Sequence, residues 1–326
     1  MRRLKVLLLQ MEGMFEPWGR DVIEAVGDRH DLAVLDPGRP LEEQFAGVEA
    51  VIDQGGSVST RAMMDAAVSA RLWQVLGTGF DHFDLEYVKS KGIPAANCPG
   101  PFSGTALAEM AMMFILMLAR RYRESDRLFR EGTFYQPLSH ELEGRTLGII
   151  GFGASGQELA RRARPFGLRV LGLDVRPIEA EVLDELGAEF VLGDDRLDEV
   201  VAASDYLALH LPLNDSTRHL IDARRLALMK PSACLINVAR GALVDEEALS
   251  EALLAGRIGG AGLDVFGKEP PDPADPVYAL PNVVVTTHIA GATVETSRKR
   301  AACAAENVDR VAAGLEPLYR IDGGAS

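Results

Sequence analysis

The stretch Thr146-Leu147-Gly148-Ile149-Ile150-Gly151-Phe152-Gly153-Ala154-Ser155-Gly156 lies near the middle of this chain of 326 residues. Its first five residues predict a buried strand, and three spaced glycines follow at once. The first glycine allows a tight turn into a helix, the second lets backbone amides approach a pyrophosphate, and the third allows close helix–strand packing. Asp174, 18 residues after Gly156, can accept hydrogen bonds from a ribose diol. The stretch therefore predicts a dinucleotide-binding unit of the Rossmann type.

Short apolar runs alternate with helical patterns on both sides of this stretch, which is typical of parallel α/β architecture. Before the stretch, strands are predicted at residues 5–9, 32–35, 50–52 and 73–76. After it, strands are predicted at residues 170–173, 206–209, 233–237, 261–264 and 283–286. The sequence thus predicts two wound parallel-sheet domains.

The last helical pattern, residues 295–313, lies beyond the final predicted strand, and we expect it to return to the first domain. Proline and glycine at Pro99-Gly100-Pro101 and at Gly291 mark the two crossings. The predicted division is a substrate domain of residues 1–99 and 292–326 and an inserted nucleotide-binding domain of residues 100–291. The charged segment 121–143 is expected to be an arm leading to the glycine turn.

The formal net charge of −14 argues against nucleic-acid and anionic-membrane partners, because both are bound through basic patches. The first ten residues resemble a signal peptide, but their apolar core is short, so a buried strand is predicted. The apolar segment 110–119 is too short to cross a membrane, and we expect a buried or interface helix. Three widely spaced cysteines, Cys98, Cys234 and Cys303, are typical of reduced thiols, and we predict a cytoplasmic protein.

Arg240, Glu269 and His288 each follow one of the last three predicted strands. Ligands of wound sheets bind beyond the carboxyl ends of the strands, so we expect the three side chains to face one cleft. Singly, each has a plainer role, as a surface ion pair, a solvated loop acid or a structural histidine. Their joint arrangement downstream of a nucleotide turn favours a catalytic role.

These residue types suit acid–base chemistry at a carbonyl group. A guanidinium can hold a carboxylate by charge-assisted contacts, and a carboxylate beside a histidine favours the imidazolium. His288 would protonate a carbonyl oxygen as hydride arrives at carbon, and would take that proton back during alcohol oxidation. The other histidines, His30, His82, His140, His210 and His219, show no metal-ligand spacing, and no metal is predicted.

Ordered motifs extend over nearly the whole chain: GTGFDHFDL (77–85), NCPG (97–100), LEGRTLGIIGFGASG (142–156), HLPLNDSTRHLI (210–221), INVARGALVDEEAL (236–249), GLDVFGKEP (262–270), THIAG (287–291) and ATVET (292–296). Together they resemble the D-isomer-specific 2-hydroxyacid dehydrogenase family. The resemblance implies a Rossmann-type nucleotide domain inserted in a flavodoxin-like substrate domain. It also implies an oxidoreductase that interconverts a 2-oxoacid and a D-2-hydroxyacid by hydride transfer.

The resemblance further implies roles for individual residues. The catalytic set is Arg240, Glu269 and His288, with Arg240 holding the substrate. The cofactor-binding set is Gly151, Gly153, Ser155, Gly156, Asp174, His210, Leu211, Pro212, Thr217, Val238, Ala239, Arg240, Asp264, His288 and Gly291. Within it, Ser155 and Gly156 would meet the pyrophosphate, and Asp264 would hold the carboxamide. Substrate carboxylate binding is implied for Arg240 and for the backbone amides of Gln54, Gly55, Gly56, Gly77, Thr78 and Gly79.

Several choices stay open at this point. Asp174 favours NAD because a carboxylate repels a 2′-phosphate, whereas the nearby Arg176 keeps NADP available. An NAD-sensing, corepressor-like dimeric scaffold and a phosphite-type dehydrogenase are alternative functions. The apolar segment 110–119 is expected to pack against its copy in a homodimer. The sequence does not select among glyoxylate, hydroxypyruvate, phosphohydroxypyruvate and larger 2-oxoacids.

Overall fold

The computed structural model describes residues 2–11, 13, 17–55 and 58–323. The chain divides into two compact units, Met1–Ser103 with Thr293–Ser326, and Gly104–Ala292. The strands are β1 (Lys5–Leu9), β2 (Asp31–Val34), β3 (Ala50–Asp53), β4 (Leu72–Val75), β5 (Ala95–Ala96), β6 (Thr146–Ile150), β7 (Arg169–Asp174), β8 (Ala188–Leu192), β9 (Tyr206–Leu209), β10 (Cys234–Asn237), β11 (Gly260–Leu263) and β12 (Val283–Val285). The helices are α1 (Trp18–Val26), α2 (Leu41–Phe45), α3 (Arg61–Ala66), α4 (Leu85–Ser90), α5 (Gly104–Ala119), α6 (Tyr122–Arg130), α7 (Ala154–Ala163), α8 (Ala180–Leu186), α9 (Leu197–Ala203), α10 (Ala223–Leu226), α11 (Glu246–Leu254), α12 (Pro276–Ala279) and α13 (Val294–Ala312).

The described part of the first unit contains a parallel five-stranded sheet in the order β2-β1-β3-β4-β5. This is the strand order of flavodoxin-like folds. Strand β1 alternates its apolar side chains between two buried clusters, with Val6 and Leu8 in one and Leu7 and Leu9 in the other. Burial on both faces explains why its sequence is a continuous apolar run.

The second unit, which is described throughout residues 104–292, contains a parallel seven-stranded sheet in the order β12-β11-β10-β9-β6-β7-β8. Strands β7 and β8 lie on one side of β6, and β9 to β12 lie on the other. The strand order therefore reverses at β6, which creates the crevice where wound sheets bind their ligands. The fold class predicted from the sequence, two wound parallel sheets of Rossmann and flavodoxin type, is confirmed.

The predicted strands all occur, with ends that differ by at most one residue. Two strands at or near sheet edges, β5 and β8, were not predicted. Strand β5 has only two residues, and only Val191 of β8 is fully buried, so neither gives an apolar run. The segment expected to be an arm begins with helix α6, in which Arg130 pairs with Asp126 four residues earlier.

Helix α5 packs mainly inside its own unit. Its buried side chains include Phe114 and Ile115, and a Cβ placed on Gly262 of β11 would lie 2.6 Å from the Cβ of Phe114. The apolar segment 110–119 is therefore largely buried. A buried helix was one of the two alternatives expected from the sequence, the other being an interface helix. Among the described residues, no helix combines the length and apolar character needed to cross a membrane.

Candidate active site

The glycine turn joins β6 to α7 at the point where the strand order reverses. Gly151 has a φ of 91°, and a Cβ at this position would lie 2.6 Å from the carbonyl oxygen of His210. A Cβ on Gly156 would lie 2.3 Å from the carbonyl oxygen of Gly151. Side chains at these two positions would force backbone segments apart, so the turn depends on both glycines.

Ser155 and His210 meet beside the N-terminus of α7. The Nδ1 of His210 lies 3.0 Å from the hydroxyl of Ser155. Burial lowers the pKa of His210 to about 4, so the imidazole is neutral at physiological pH. Among the described residues, the buried Nε2 of His210 has no hydrogen-bond partner.

These groups fit the phosphates and ribose hydroxyls of a dinucleotide. No side chain in the described part of the protein caps the N-terminus of α7 after Gly153, so the first backbone N–H groups of this helix are available to a phosphate. The orphaned Nε2 of His210 offers a further polar atom for a ligand. We conclude that this end of the second unit can hold the phosphate portion of a dinucleotide.

Asp174 lies at the end of β7 and is nearly buried. Its Oδ2 accepts the Phe152 N–H at 2.9 Å, and its Oδ1 accepts the Arg176 N–H at 3.0 Å. The Arg176 Nε lies 3.3 Å from Oδ1, while the Arg176 side chain is 72% exposed. The Nη2 of Arg176 lies 3.3 Å from the position that a Cβ on Gly153 would occupy. An acid that suits a ribose diol and a cation that suits a phosphate thus flank the same turn.

The loop after β9 contains Leu211, Pro212 and Thr217, which the family resemblance assigned to the cofactor-binding set. The Thr217 hydroxyl donates to the Pro212 carbonyl at 2.8 Å and accepts the Asn214 N–H at 2.8 Å. These bonds give the loop a fixed shape without a ligand. Its contribution to cofactor binding stays a prediction.

Val238, Ala239 and Arg240 follow β10. The buried side chain of Asn237 spans this loop, since its Nδ2 donates to the Arg240 carbonyl at 2.8 Å and its Oδ1 accepts the Ala239 N–H at 3.1 Å. A Cβ on the next residue, Gly241, would lie 1.9 Å from the backbone carbon of Phe266. The missing side chain lets the Arg240 loop approach the loop that carries Glu269.

Glu269 and His288 are in direct contact. The Oε2 of Glu269 lies 2.7 Å from the Nδ1 of His288, and its Oε1 accepts the Phe266 N–H at 3.0 Å. Partial burial is the largest single influence and would raise the pKa of Glu269. The hydrogen bonds from His288 and Phe266, with the positive charge of Arg240, outweigh it and lower that pKa. The predicted catalytic residues therefore act on one another electrostatically.

The loop that carries His288 is organised by the fully buried Asp264. The Oδ1 of this carboxylate accepts the Thr286 hydroxyl and the Ile289 N–H, and its Oδ2 accepts the Ala290 N–H at 2.8 Å. The Asp264 carbonyl accepts the His288 N–H at 2.8 Å, and His288 itself has a φ of 58°. The left-handed backbone is uncommon outside glycine and is held here by this set of bonds. Gly291, in the turn that follows, is half-buried.

The residues whose backbone amides are predicted to bind substrate belong to the first unit and come after β3 and β4 in the sequence. The Gln54 Oε1 accepts the Met11 N–H at 2.8 Å, and the Gly55 N–H donates to Asp53 at 3.2 Å. Gly56 lies outside the described residues. The loop of Gly77, Thr78 and Gly79 follows β4, and a Cβ on Gly77 would lie 2.9 Å from the Gly79 carbonyl oxygen.

Sequence reasoning missed the residues that shape the loops around the predicted site. Asn237 and Thr286 occur in the quoted motifs or next to them, yet no role was predicted for either. Both are polar residues at or just after a strand end, which is the signal that could have marked them. The backbone N–H of Phe266 gave no sequence signal, because its contact depends on how the loop folds.

Comparison with known proteins places this architecture in a family. Residues 112–290 match the model of the D-isomer specific 2-hydroxyacid dehydrogenase, NAD binding domain. The chain is 37% identical to a glyoxylate reductase of Thermococcus onnurineus over 295 residues, covering 88% of this chain and 85% of the relative. It is 37% identical to a hydroxypyruvate reductase of Thermotoga maritima over 291 residues, covering 87% of this chain and 92% of the relative.

A solved structure of an NADPH-dependent glyoxylate/hydroxypyruvate reductase from Sinorhizobium meliloti, in complex with NADP and malonate, has a similar fold. The TM-score is 0.82 at 27% identity, and the match covers 98% of this chain and 97% of that one. The relatives are oxidoreductases of the D-2-hydroxyacid dehydrogenase type. The chain belongs to the D-isomer specific 2-hydroxyacid dehydrogenase family.

Proposed function

We propose that this protein is an NAD-dependent dehydrogenase that interconverts a 2-oxoacid and a D-2-hydroxyacid. The observation that carries the proposal is the 2.7 Å contact between the Glu269 carboxylate and the His288 Nδ1. A histidine held in this way can move a proton at its other nitrogen. The family membership supports the reaction class.

The proton step follows from the hydrogen bonds of His288. Because Glu269 occupies Nδ1, Nε2 is the atom left to exchange a proton with substrate. In reduction, Nε2–H donates its proton to the carbonyl oxygen, and in oxidation Nε2 accepts the hydroxyl proton. A bound nicotinamide cofactor would supply or accept the hydride at the substrate carbon.

Arg240 would hold the substrate carboxylate through charge-assisted hydrogen bonds. We propose the same function for the backbone amides of Gln54 to Gly56 and of Gly77 to Gly79 in the first unit. Glycines suit this role because a ligand can approach a backbone that carries no Cβ. The names of the relatives support short 2-oxoacids, such as glyoxylate and hydroxypyruvate, as substrates.

NAD is the proposed cofactor. Asp174 presents a nearly buried carboxylate at the end of β7, where it would accept from a ribose diol and repel a 2′-phosphate. Arg176 lies beside it and could offset part of this repulsion. Removing the guanidinium in Arg176→Ala should weaken NADPH more than NADH, which fluorescence titration of both cofactors would measure. Equal weakening would assign Arg176 to the pyrophosphate instead.

A soluble, cytoplasmic homodimer is the proposed state of the protein. The formal net charge of −14 favours solubility, the three widely spaced cysteines favour a reducing compartment, and exposed apolar side chains near α5 and α6 favour a dimer. Neither nucleic acid nor a membrane is a proposed partner.

The test of this function is the oxidation of NADH at 340 nm by the purified protein across a panel of 2-oxoacids, with NADPH in parallel. We expect turnover with a short 2-oxoacid, preference for NADH, and formation of the D-hydroxyacid. Binding of NADH without turnover on any member would favour the NAD-sensing scaffold. Turnover on phosphite alone would favour the phosphite-type alternative.

A further inference from the structure

Helix α13 buries a cation in the first unit. Arg300 is only 9% exposed. Its buried neighbours on the helix, Ala301 and Ala304, are small and apolar, so Arg300 is an unusual residue for this face. Its guanidinium carbon lies 5.1 Å from the centre of the Trp18 ring, within cation–π range. Burying a guanidinium costs free energy unless polar groups compensate its charge. The polar contacts of Arg300 are therefore expected to have a purpose.

The guanidinium reaches the loop that follows β4. The Nη2 of Arg300 lies 3.2 Å from the Oγ1 of Thr78, and the hydroxyl of Ser103 lies 3.2 Å from the same oxygen. The Asn97 Nδ2 donates to the Thr78 carbonyl at 2.8 Å. Three side chains from separate segments thus fix both the hydroxyl and the backbone of Thr78.

The hydrogen-bonding capacities of these groups determine how they are arranged. A guanidinium has only donors, so Thr78 Oγ1 accepts from Arg300. The Thr78 proton can point to Ser103, or Ser103 can donate and leave that proton for a ligand. When Thr78 Oγ1 accepts a hydrogen bond from the Arg300 guanidinium, the O–H bond of Thr78 is polarised and its hydroxyl becomes a stronger donor.

We propose that the Thr78 hydroxyl donates to the substrate carboxylate, with Arg300 as the positioning residue that holds and polarises it. The inference rests on the proposed function, which assigned only the backbone amides of this loop to substrate. Thr78 is half-buried whereas Arg300 is nine-tenths buried, so Thr78 is the residue of the pair that a ligand can reach. Arg300 would strengthen this hydrogen bond through Thr78 without itself touching the carboxylate.

Four variants test this arrangement: Thr78→Val, Thr78→Ser, Arg300→Met and Arg300→Lys. KM and kcat are measured for glyoxylate and hydroxypyruvate at saturating NADH, with the inhibition constant of oxamate as a measure of ground-state carboxylate binding. Thr78→Val should raise KM and the oxamate constant about tenfold or more, since it removes a hydrogen bond to a charged group. The value of kcat should change much less, and the affinity for NADH should stay unchanged.

The conservative variants separate this role from a structural one. Thr78→Ser should keep a near-normal KM because it retains the hydroxyl, and Arg300→Lys should recover part of the loss in Arg300→Met. Combining Arg300→Met with Thr78→Val should raise KM no further than Thr78→Val alone, because Arg300 acts through Thr78. Thermal unfolding of each variant identifies any that fails to fold. If the Arg300 variants do not fold, the comparison of Thr78→Val with Thr78→Ser tests the inference.

A folded Thr78→Val protein with unchanged KM and oxamate inhibition would overturn the inference and leave the proposed function intact. Equal losses in Thr78→Ser and Thr78→Val would likewise reject a hydroxyl contact. Absence of 2-oxoacid turnover in the wild-type protein would overturn both proposals together.

Discussion

At the scale of single residues, the ionisation state of Glu269 influences how the rate of the proposed reaction depends on pH. Its pKa is lowered by hydrogen bonds from His288 and Phe266 and by the charge of Arg240, against the opposing effect of burial. A carboxyl group with a lowered pKa is ionised at neutral pH and becomes protonated only as the pH falls. Glu269 therefore stays a carboxylate through the neutral range.

The kcat/KM for 2-oxoacid reduction should fall toward high pH, because the imidazolium is the proton donor, and that for oxidation should fall toward low pH. In Glu269→Gln, the alkaline limb of the reduction profile should move to lower pH, since a neutral amide no longer stabilises the protonated imidazole. Steady-state profiles of both proteins would measure the shift. An identical limb in the variant would mean that Glu269 does not control the proton of His288.

Asp264 gives a second prediction at this scale. In Asp264→Asn, the amide nitrogen would face a backbone or hydroxyl donor that the carboxylate now satisfies. The expected cost is about 2–3 kcal/mol of unfolding free energy, together with a fall in kcat as the His288 loop shifts. Thermal unfolding and kcat would be compared with Asp275→Asn, a helix cap where asparagine serves as well as aspartate. Equal effects of the two substitutions would contradict this role of Asp264.

The sequence identified Glu269 and His288 because each follows a predicted strand, and strand ends converge in a wound sheet. It did not reveal that Asp264 binds the His288 loop. Those hydrogen bonds come from the Ile289 and Ala290 N–H groups, whose directions depend on the positive φ of His288. Backbone donors carry no side-chain signature, so a sequence pattern cannot show where they point.

At the scale of elements, glycines set how closely the loops approach each other. Gly241 has no room for a Cβ against Phe266, and this contact joins the loop after β10 to the loop after β11. The strands were predictable because burial on both faces imposes an apolar run. Strand β8 was not, because Glu189 and partly exposed neighbours interrupt that pattern.

Gly241→Ala should separate the two loops, because a real Cβ cannot lie 1.9 Å from the Phe266 backbone. We expect a loss of about 2–3 kcal/mol in stability, and a kcat at least tenfold lower as Arg240 moves away from Glu269. Gly256→Ala is the matched control, since Gly256 has a φ of 64° and open space around it. It should cost about 1 kcal/mol through backbone strain and leave kcat unchanged. A kcat unaffected by Gly241→Ala would show that the close approach is not needed for turnover.

At the scale of the whole molecule, exposed aromatic side chains on the second unit support the proposed dimer. Phe129 and Phe134 pack edge to face with ring centres 6.3 Å apart, yet are 68% and 62% exposed. Helix α5 is mostly covered by its own unit, so the argument for a partner rests on these rings more than on the segment 110–119. Contiguous apolar surface of this kind is typical of interfaces.

Phe129→Asp should therefore shift the protein from dimer to monomer in sedimentation velocity at micromolar concentration. Val68→Asp, at an isolated exposed apolar residue of the first unit, should leave the dimer intact. A monomeric wild-type protein would contradict the proposed assembly, and an unchanged dimer in Phe129→Asp would place the interface elsewhere.

In the proposed reaction, His288 moves the proton between its Nε2 and the substrate oxygen. The most direct test is His288→Asn, because asparagine tolerates the left-handed backbone at this position and the loop should keep its shape. We predict that kcat for 2-oxoacid reduction falls about 10²–10⁴-fold, with NADH affinity retained. Normal turnover in this variant would contradict the mechanism.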